Sequence, residues 1–456
     1  MKKFLKRTVP LLVILIANAA ALNAQAQEPQ NGSPKSEILL ADPVSRWLSE
    51  NAIPLDALTT DTRFTRSLES VRVIGLGEAT HGQRESFAFK RRLTMHLIRE
   101  HGFRLVAFEA NATRALMLND YVQGRSDDID AAMNGFGMMI WMIEENRAML
   151  EDLRVWNEKA KTNDRVEIIG IDVQSANGAA KRLHELLEEA LPNLALEASA
   201  VAEDLLAARN AAYGGEVDGI KPAQNRLAAF TTQLSQSWGQ LALRTSRDNA
   251  DEALRCAREL SRFPVDPTDA AMRDRGMSQT LLEALALRPV DTKAVLWGHN
   301  GHITKGPLRW MGTTDTGCGG YLRATLGDEY YALGVAFGSG GFQALHRDEE
   351  NKWWFRRYEH GPSPADTVGH VFTTAGLSDS LIDFRKAPSD GPVRAWLDGS
   401  CGIRSWGGHG VPADADAAVE QGHGLAWTIL SADYDGLLFL KQTTSAMPVD
   451  PERTWK

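Results

Sequence analysis

The chain has 456 residues, more than one hydrophobic core usually organises, so a large α/β domain carrying an added helical part, or two domains, is expected. Hydrophobic residues at 43% and charged residues at 24% match ordinary globular proteins and exclude disordered, collagen-like and polytopic membrane classes. The formal net charge of -9 supplies no basic face for nucleic acid, so no nucleic-acid partner is expected.

The N-terminus has a basic start (Lys2, Lys3, Lys6, Arg7), an apolar run from Val9 to Ala21, and Ala24-Gln25-Ala26 before Gln27. Those three regions are those of a signal peptide over residues 1–26. The run is shorter than the roughly 20 residues a spanning helix needs, and export to the periplasm or medium without stable membrane insertion is expected. Residues 27–37, with Pro29, Gly32 and Pro34, read as a flexible tether.

Residues 38–180 read as the first part of an α/β core. Val71–Gly77 is apolar and β-branched, with a glycine-rich exit, and predicts a buried strand. Gln83–His101 has helical spacing through Phe87, Leu93, Leu97 and Ile98. Leu105–Glu109 is a second strand, Ala112–Val122 and Trp141–Lys161 are helical, and Val166–Ile171 is a third strand ending at Asp172. This alternation predicts a mainly parallel sheet flanked by helices. Residues 181–265 are rich in Ala, Leu and Glu, show no strand signal and keep no heptad, which predicts an inserted helical subdomain. Residues 266–456 return to the core: a helix over Ala270–Leu287, strands at Ala294–Trp297 and Tyr331–Phe337, and short strands and turns around Phe355, Trp396 and Leu437–Leu440.

Ligands in open parallel sheets sit past the carboxyl ends of the strands. The four exits carry Gly77-Glu78-Ala79-Thr80-His81-Gly82, Glu109, Asp172 and His299-Asn300-Gly301-His302. Histidine beside carboxylate is the pairing that general-base chemistry at neutral pH requires. A turn histidine that only caps the next helix is the bland alternative for His81, and its convergence with the other exits argues against that. No GxSxG elbow stands at a strand-to-helix turn, which disfavours a serine hydrolase of the α/β-hydrolase type. His299 and His302, with Glu78 or His81, have donor types suited to zinc, but there is no HExxH, and substrate oxygens would suit them equally. Gly75-Leu76-Gly77 lacks the rest of a dinucleotide fingerprint and reads as a tight turn. Cys256, Cys318 and Cys401 show no metal or redox spacing. Either Cys318 and Cys401 form one disulfide, or all three are buried thiols.

The segments Gly77–Gly82, Phe108-Glu109-Ala110, Asn119-Asp120-Tyr121-Val122, Gly170-Ile171-Asp172 and Trp297–His302 resemble, in order and spacing, the erythromycin esterase family from about residue 38 to about residue 340. The resemblance implies an α/β core with helical additions. It also implies hydrolysis of a carboxylic ester or macrolide lactone, the chemistry of antibiotic resistance, by activated water without a covalent serine intermediate or cofactor. Carried onto this sequence, it makes His81 the general base, with Glu78, Glu109 and His299 as further catalytic residues. His302, Asp172, Arg91, Trp141 and Glu145 become pocket residues for a small-molecule ester or lactone. Two rivals remain open: a metal-dependent amide or peptide hydrolase with Glu78, His81 and His299 as ligands, and a periplasmic binding protein without turnover.

Overall fold

The computed structural model describes residues 42–454 apart from 59, 268, 421 and 422, so the expected signal peptide and tether lie outside the described residues. Eleven strands are described: β1 (Ile53–Pro54), β2 (Val73–Leu76), β3 (Phe103–Asn111), β4 (Glu167–Asp172), β5 (Lys293–Trp297), β6 (Tyr330–Arg347), β7 (Trp353–His360), β8 (Ser380–Asp383), β9 (Ser400–Arg404), β10 (Leu425–Ile429) and β11 (Gly436–Thr443). The main sheet runs β1-β8-β11-β6-β2-β5-β3-β4, with β7 hairpinned onto β6, and β9 and β10 form a separate two-stranded ribbon. From β11 to β4 all neighbours are parallel, whereas β1, β7 and β8 pair antiparallel. The mainly parallel α/β reading therefore holds.

Both faces of the sheet are covered, which is why its strands read as continuous apolar runs rather than alternating ones. Ile74, Val106 and Val295 point to one face, against Phe87, Leu93 and Leu97 of the helix Arg84–His101 and Met149, Leu150 and Leu153 of the helix Glu144–Lys159. Their strand neighbours Val73, Leu105 and Leu296 point to the other, against Val44 and Leu48 of the helix Asp42–Asn51 and Met277, Leu281 and Leu285 of the helix Met272–Ala286. The helix Arg84–His101 stops at Gly102, whose φ of 71° is a left-handed cap that a side chain would strain.

Between β4 and β5, helices from Asn177–Leu187 to Arg247–Ser261 enclose an apolar core of their own, including Leu183, Val201, Leu227 and Phe230. They dock onto the strand exits through Glu259, a 6% exposed carboxyl group that accepts from Asn111 Nδ2 at 3.1 Å and from the Thr113 hydroxyl. Burial pushes this carboxyl up to about 7 from 4.5, against the hydrogen bonds of Thr113 and Asn111. A raised acid stabilises the fold fully below its unfolded value, and that contribution fades as pH climbs through the folded value. Glu259→Gln is therefore expected to melt like the parent at pH 4 and above it at pH 8. Thermal denaturation at the two pH values reads this directly.

The C-terminal third departs from expectation in detail. The strand expected at Tyr331–Phe337 is the first half of the 18-residue β6, which runs on past the sheet and turns into β7. Trp396 lies in the helix Gly391–Asp398, where its spacing with Val393 buries one face, and not in a strand or turn. All three cysteines are free and buried, so of the two alternatives the three buried thiols hold and Cys318 and Cys401 form no disulfide. Cys318 opens the helix Cys318–Leu326, its N–H on Asp274, while Cys401 pairs with Thr428 across the β9–β10 ribbon. Among the described residues no helix is long and apolar enough to cross a membrane.

Candidate active site

The chain leaves β2 toward β3 and β4 on one side, returns through β5 and continues to β6 and β11 on the other. The carboxyl ends of β2 and β5 thus open at the reversal of strand order, where such sheets bind ligands. Two glycines make the exit of β2 fit. A Cβ at Gly77 would stand 2.2 Å from Asn300 Oδ1, and one at Gly82 would stand 1.8 Å from the Gln343 carbonyl oxygen. Gly82 lies against backbone that β6 holds in place, so Gly82→Ala is expected to lower stability by about 1–3 kcal/mol, as overpacking does. Urea denaturation measures it.

Glu78 is fully buried and His81 is 9% exposed. Glu78 Oε1 lies 2.6 Å from His81 Nδ1, and its Oε2 accepts from Lys90 Nζ. Burial alone would raise the Glu78 carboxyl, but the Lys90 charge and then His81 outweigh it and hold it low. Burial in turn lowers the Lys90 ammonium, against the attraction of Glu78. The carboxylate fixes the proton on Nδ1 and leaves Nε2 as the basic nitrogen. The ring stands edge-on to Trp141, centroids 4.6 Å apart, and 5.3 Å from the ring of His299.

His299 caps the short helix Asn300–Ile303, its Nδ1 accepting from Gly301 N–H at 3.2 Å and its own N–H donating to Glu109 Oε2 at 2.8 Å. Burial, then the neighbouring His81, pulls its imidazole down to about 3, so it is a neutral donor through Nε2 at neutral pH. A second buried chain begins at Arg273. Its guanidinium bonds Glu109 Oε1 at 2.8 Å, both Asp172 oxygens at 2.9 and 3.1 Å, and His302 Nε2 at 3.1 Å. Burial would raise Glu109, yet His302 and Arg273 pull it far below the carboxylate range. His302 Nδ1 meets Asp274 Oδ1 at 2.9 Å; burial lowers its imidazole, but Asp274 and Glu109 more than offset this and raise it.

Glu78, His81, Glu109, His299, His302, Asp172 and Trp141 thus share one buried cluster. Glu145 has other partners, its carboxylate accepting from the Met447 N–H at 3.2 Å and facing Arg84 at 3.8 Å. Arg91 is not brought there: it is paired with Asp152 at 2.6 Å on the outer helices, because its position on the helix points away from the sheet. The donor set weighed for a metal is already engaged, Glu78 by Lys90 and His81, and His299 Nδ1 by Gly301. Among the described residues no group of three His, Cys, Asp or Glu side chains is arranged to hold an ion.

Sequence reasoning missed Lys90, Arg273, Asp274 and Ser405. The signal for two of them was present: Lys90 shares the apolar face of Phe87, Leu93 and Leu97, and Asp274 that of Met277 and Leu281. A lone charge at an apolar helical position needs a buried partner.

The cluster and its sheet define an α/β enzyme-type site built on a histidine–carboxylate pair. The erythromycin esterase family model matches residues 98–443, and the chain belongs to that family. The match takes in β6 to β11, beyond the residue near 340 where the resemblance was expected to end, while the Gly77–Gly82 exit precedes it. Erythromycin esterase type II of Escherichia coli is 23% identical over 385 residues, covering 75% of this chain and 89% of that one. Among solved structures, a Bacillus cereus protein superposes with a TM-score of 0.71 at 19% identity, over 92% of this chain and 100% of that one. An erythromycin esterase mutant in its open conformation superposes with a TM-score of 0.64 at 16% identity, over 88% of this chain and 99% of that one. Family membership makes this chain a hydrolase by kinship, with a small-molecule substrate.

Proposed function

We propose that this protein hydrolyses a carboxylic ester or macrolide lactone by direct attack of water. The observation that carries the reading is the buried Lys90–Glu78–His81 chain, which orients the imidazole and fixes its tautomer. His81 Nε2 takes a proton from water, Glu78 stabilises the imidazolium that forms, and His299, acting through the neighbouring donors it orients, stabilises the oxyanion. Glu109, a further catalytic residue by the family resemblance, accepts from Arg273 and from the His299 backbone and so shapes the wall of the site. The basic, apolar and small-residue regions of residues 1–26 support export before this chemistry takes place.

The test is incubation of the chain beginning at Gln27 with erythromycin and a panel of lactones and aryl esters, followed by mass spectrometry. A product heavier by one water is the expected result. A ligand-dependent rise in melting temperature with no product from any substrate would instead mark a binding protein.

A further inference from the structure

After β9 the chain turns back over the strand exits. Trp406 donates its backbone N–H to the Ala79 carbonyl at 2.9 Å, Leu345 N–H bonds the Gly408 carbonyl at 2.7 Å, and Ser405 N–H bonds Gly424 at 2.8 Å. Ser405 Oγ, so held, lies 3.3 Å from His299 Nε2. Because Gly301 N–H occupies Nδ1, neutral His299 carries its proton on Nε2 and donates it to the serine oxygen. The hydroxyl's own proton then points away from the ring.

The segment is braced from behind. Trp406 Nε1 donates to His360 Nε2 at 2.8 Å, and His360 Nδ1 meets Asp416 at 2.5 Å. The Trp406 and His360 rings stack at 16°, and the buried Arg404 guanidinium donates to the carbonyls of Gly338, Gly361 and Pro362. Ser405 therefore stands on rigid backbone, as a preorganised donor must.

Ser405 also lines a small cleft of about 20 Å³, room for a water-sized group, between Asn300, Gly301 and Thr304 on one side and Ala426 and Trp427 of β10 on the other. Its two charged wall residues, Arg309 and Asp433, are bonded to each other at 2.5 Å.

We propose that the Ser405 hydroxyl is the donor to the substrate's carbonyl oxygen as it becomes an oxyanion. The proposal rests on the hydrolase reading above. Water oxygen bonds the carbonyl carbon while His81 Nε2 takes the water proton, and the π pair of the C=O moves onto the oxygen that Ser405 holds. The C=O then re-forms, the bond to the alkoxy oxygen breaks, and His81 returns the proton to the leaving alkoxide. Ser405 is never acylated.

The experiment compares the parent chain from Gln27 with Ser405→Ala, Ser405→Thr and His81→Ala on p-nitrophenyl acetate, butyrate and hexanoate. It adds calorimetric titration with hexanamide, which offers the carbonyl but resists hydrolysis. Ser405→Ala is expected to lower kcat by about 10²-fold, the usual cost of one oxyanion donor, with KM changed far less and Ser405→Thr recovering most of the loss. Hexanamide is expected to bind the parent about 10-fold more tightly than Ser405→Ala, the value of one hydrogen bond. Parent-like kcat in Ser405→Ala beside an inactive His81→Ala would overturn the role of Ser405 and leave the hydrolase reading intact. Serine-dependent hexanamide binding with no turnover of any ester would support Ser405 as the carbonyl's donor and sink the hydrolase reading. Equal hexanamide binding by parent and Ser405→Ala, or none by either, would overturn Ser405 as the carbonyl's donor.

Discussion

His81→Ala is expected to lower kcat/KM for any ester or lactone the parent turns over by about 10²- to 10⁴-fold or more, the usual contribution of a general base. The argument is geometric. Glu78 Oε1 sits 2.6 Å from Nδ1, so the imidazole can neither flip nor change tautomer without breaking a buried bond. Alanine removes the base but leaves Glu78 paired with Lys90, so no buried charge is stranded and the fold is retained. His81→Gln, which keeps more of the packing against Trp141, is expected to be equally inactive, since an amide cannot take the proton. Steady-state kinetics beside circular dichroism and a melting curve check both halves. An active, folded alanine variant would remove His81 as the base.

Lys90→Met should have the largest effect on stability. Lys90 is 1% exposed and Glu78 fully buried, so removing the ammonium leaves a carboxylate in a dry site with His81 as its remaining counter-group. Stranding one member of a buried ion pair costs about 3–5 kcal/mol. The methionine stem fills the space between Phe87 and Trp297, over whose rings the ammonium now lies, so the loss reports charge and not volume. Glu78→Gln combined with Lys90→Met removes both charges and is expected to recover most of the stability while staying inactive, because the imidazole loses its orienting carboxylate. Chemical denaturation of the two single variants and the double variant, as a cycle, yields the coupling. Additive losses would show that the pair is not coupled.

Much of the architecture was legible because local pattern and tertiary role coincide. β2 and β5 are buried on both faces, so each reads as a plain apolar run, and the polar residue at each exit, Glu78 and His299, is where the run stops. The C-terminal third was harder. β6 spans 18 residues because its second half pairs with β7 outside the parallel sheet, and no single period covers both surroundings. Within the site, Arg273 was hidden among many surface arginines, since its three partners come from β3, β4 and the helix after β5. Ser405 was out of reach altogether. Its approach to His299 depends on hydrogen bonds from Trp406 to Ala79 and from Leu345 to Gly408, contacts between segments far apart in the chain that no local spacing encodes.

The two buried chains described above also govern how a reaction cycle ends. Around the histidines the carboxyl groups of Glu78, Glu109, Asp172 and Asp274 outnumber the basic groups of Lys90 and Arg273. A neutral ester enters this surplus without electrostatic cost, but hydrolysis turns its acyl half into an anion amid like charge. Repulsion then hastens departure of the acid, so the free carboxylate should be a feeble inhibitor, weaker than its own amide, with the gap narrowing as salt screens the outer part of the field.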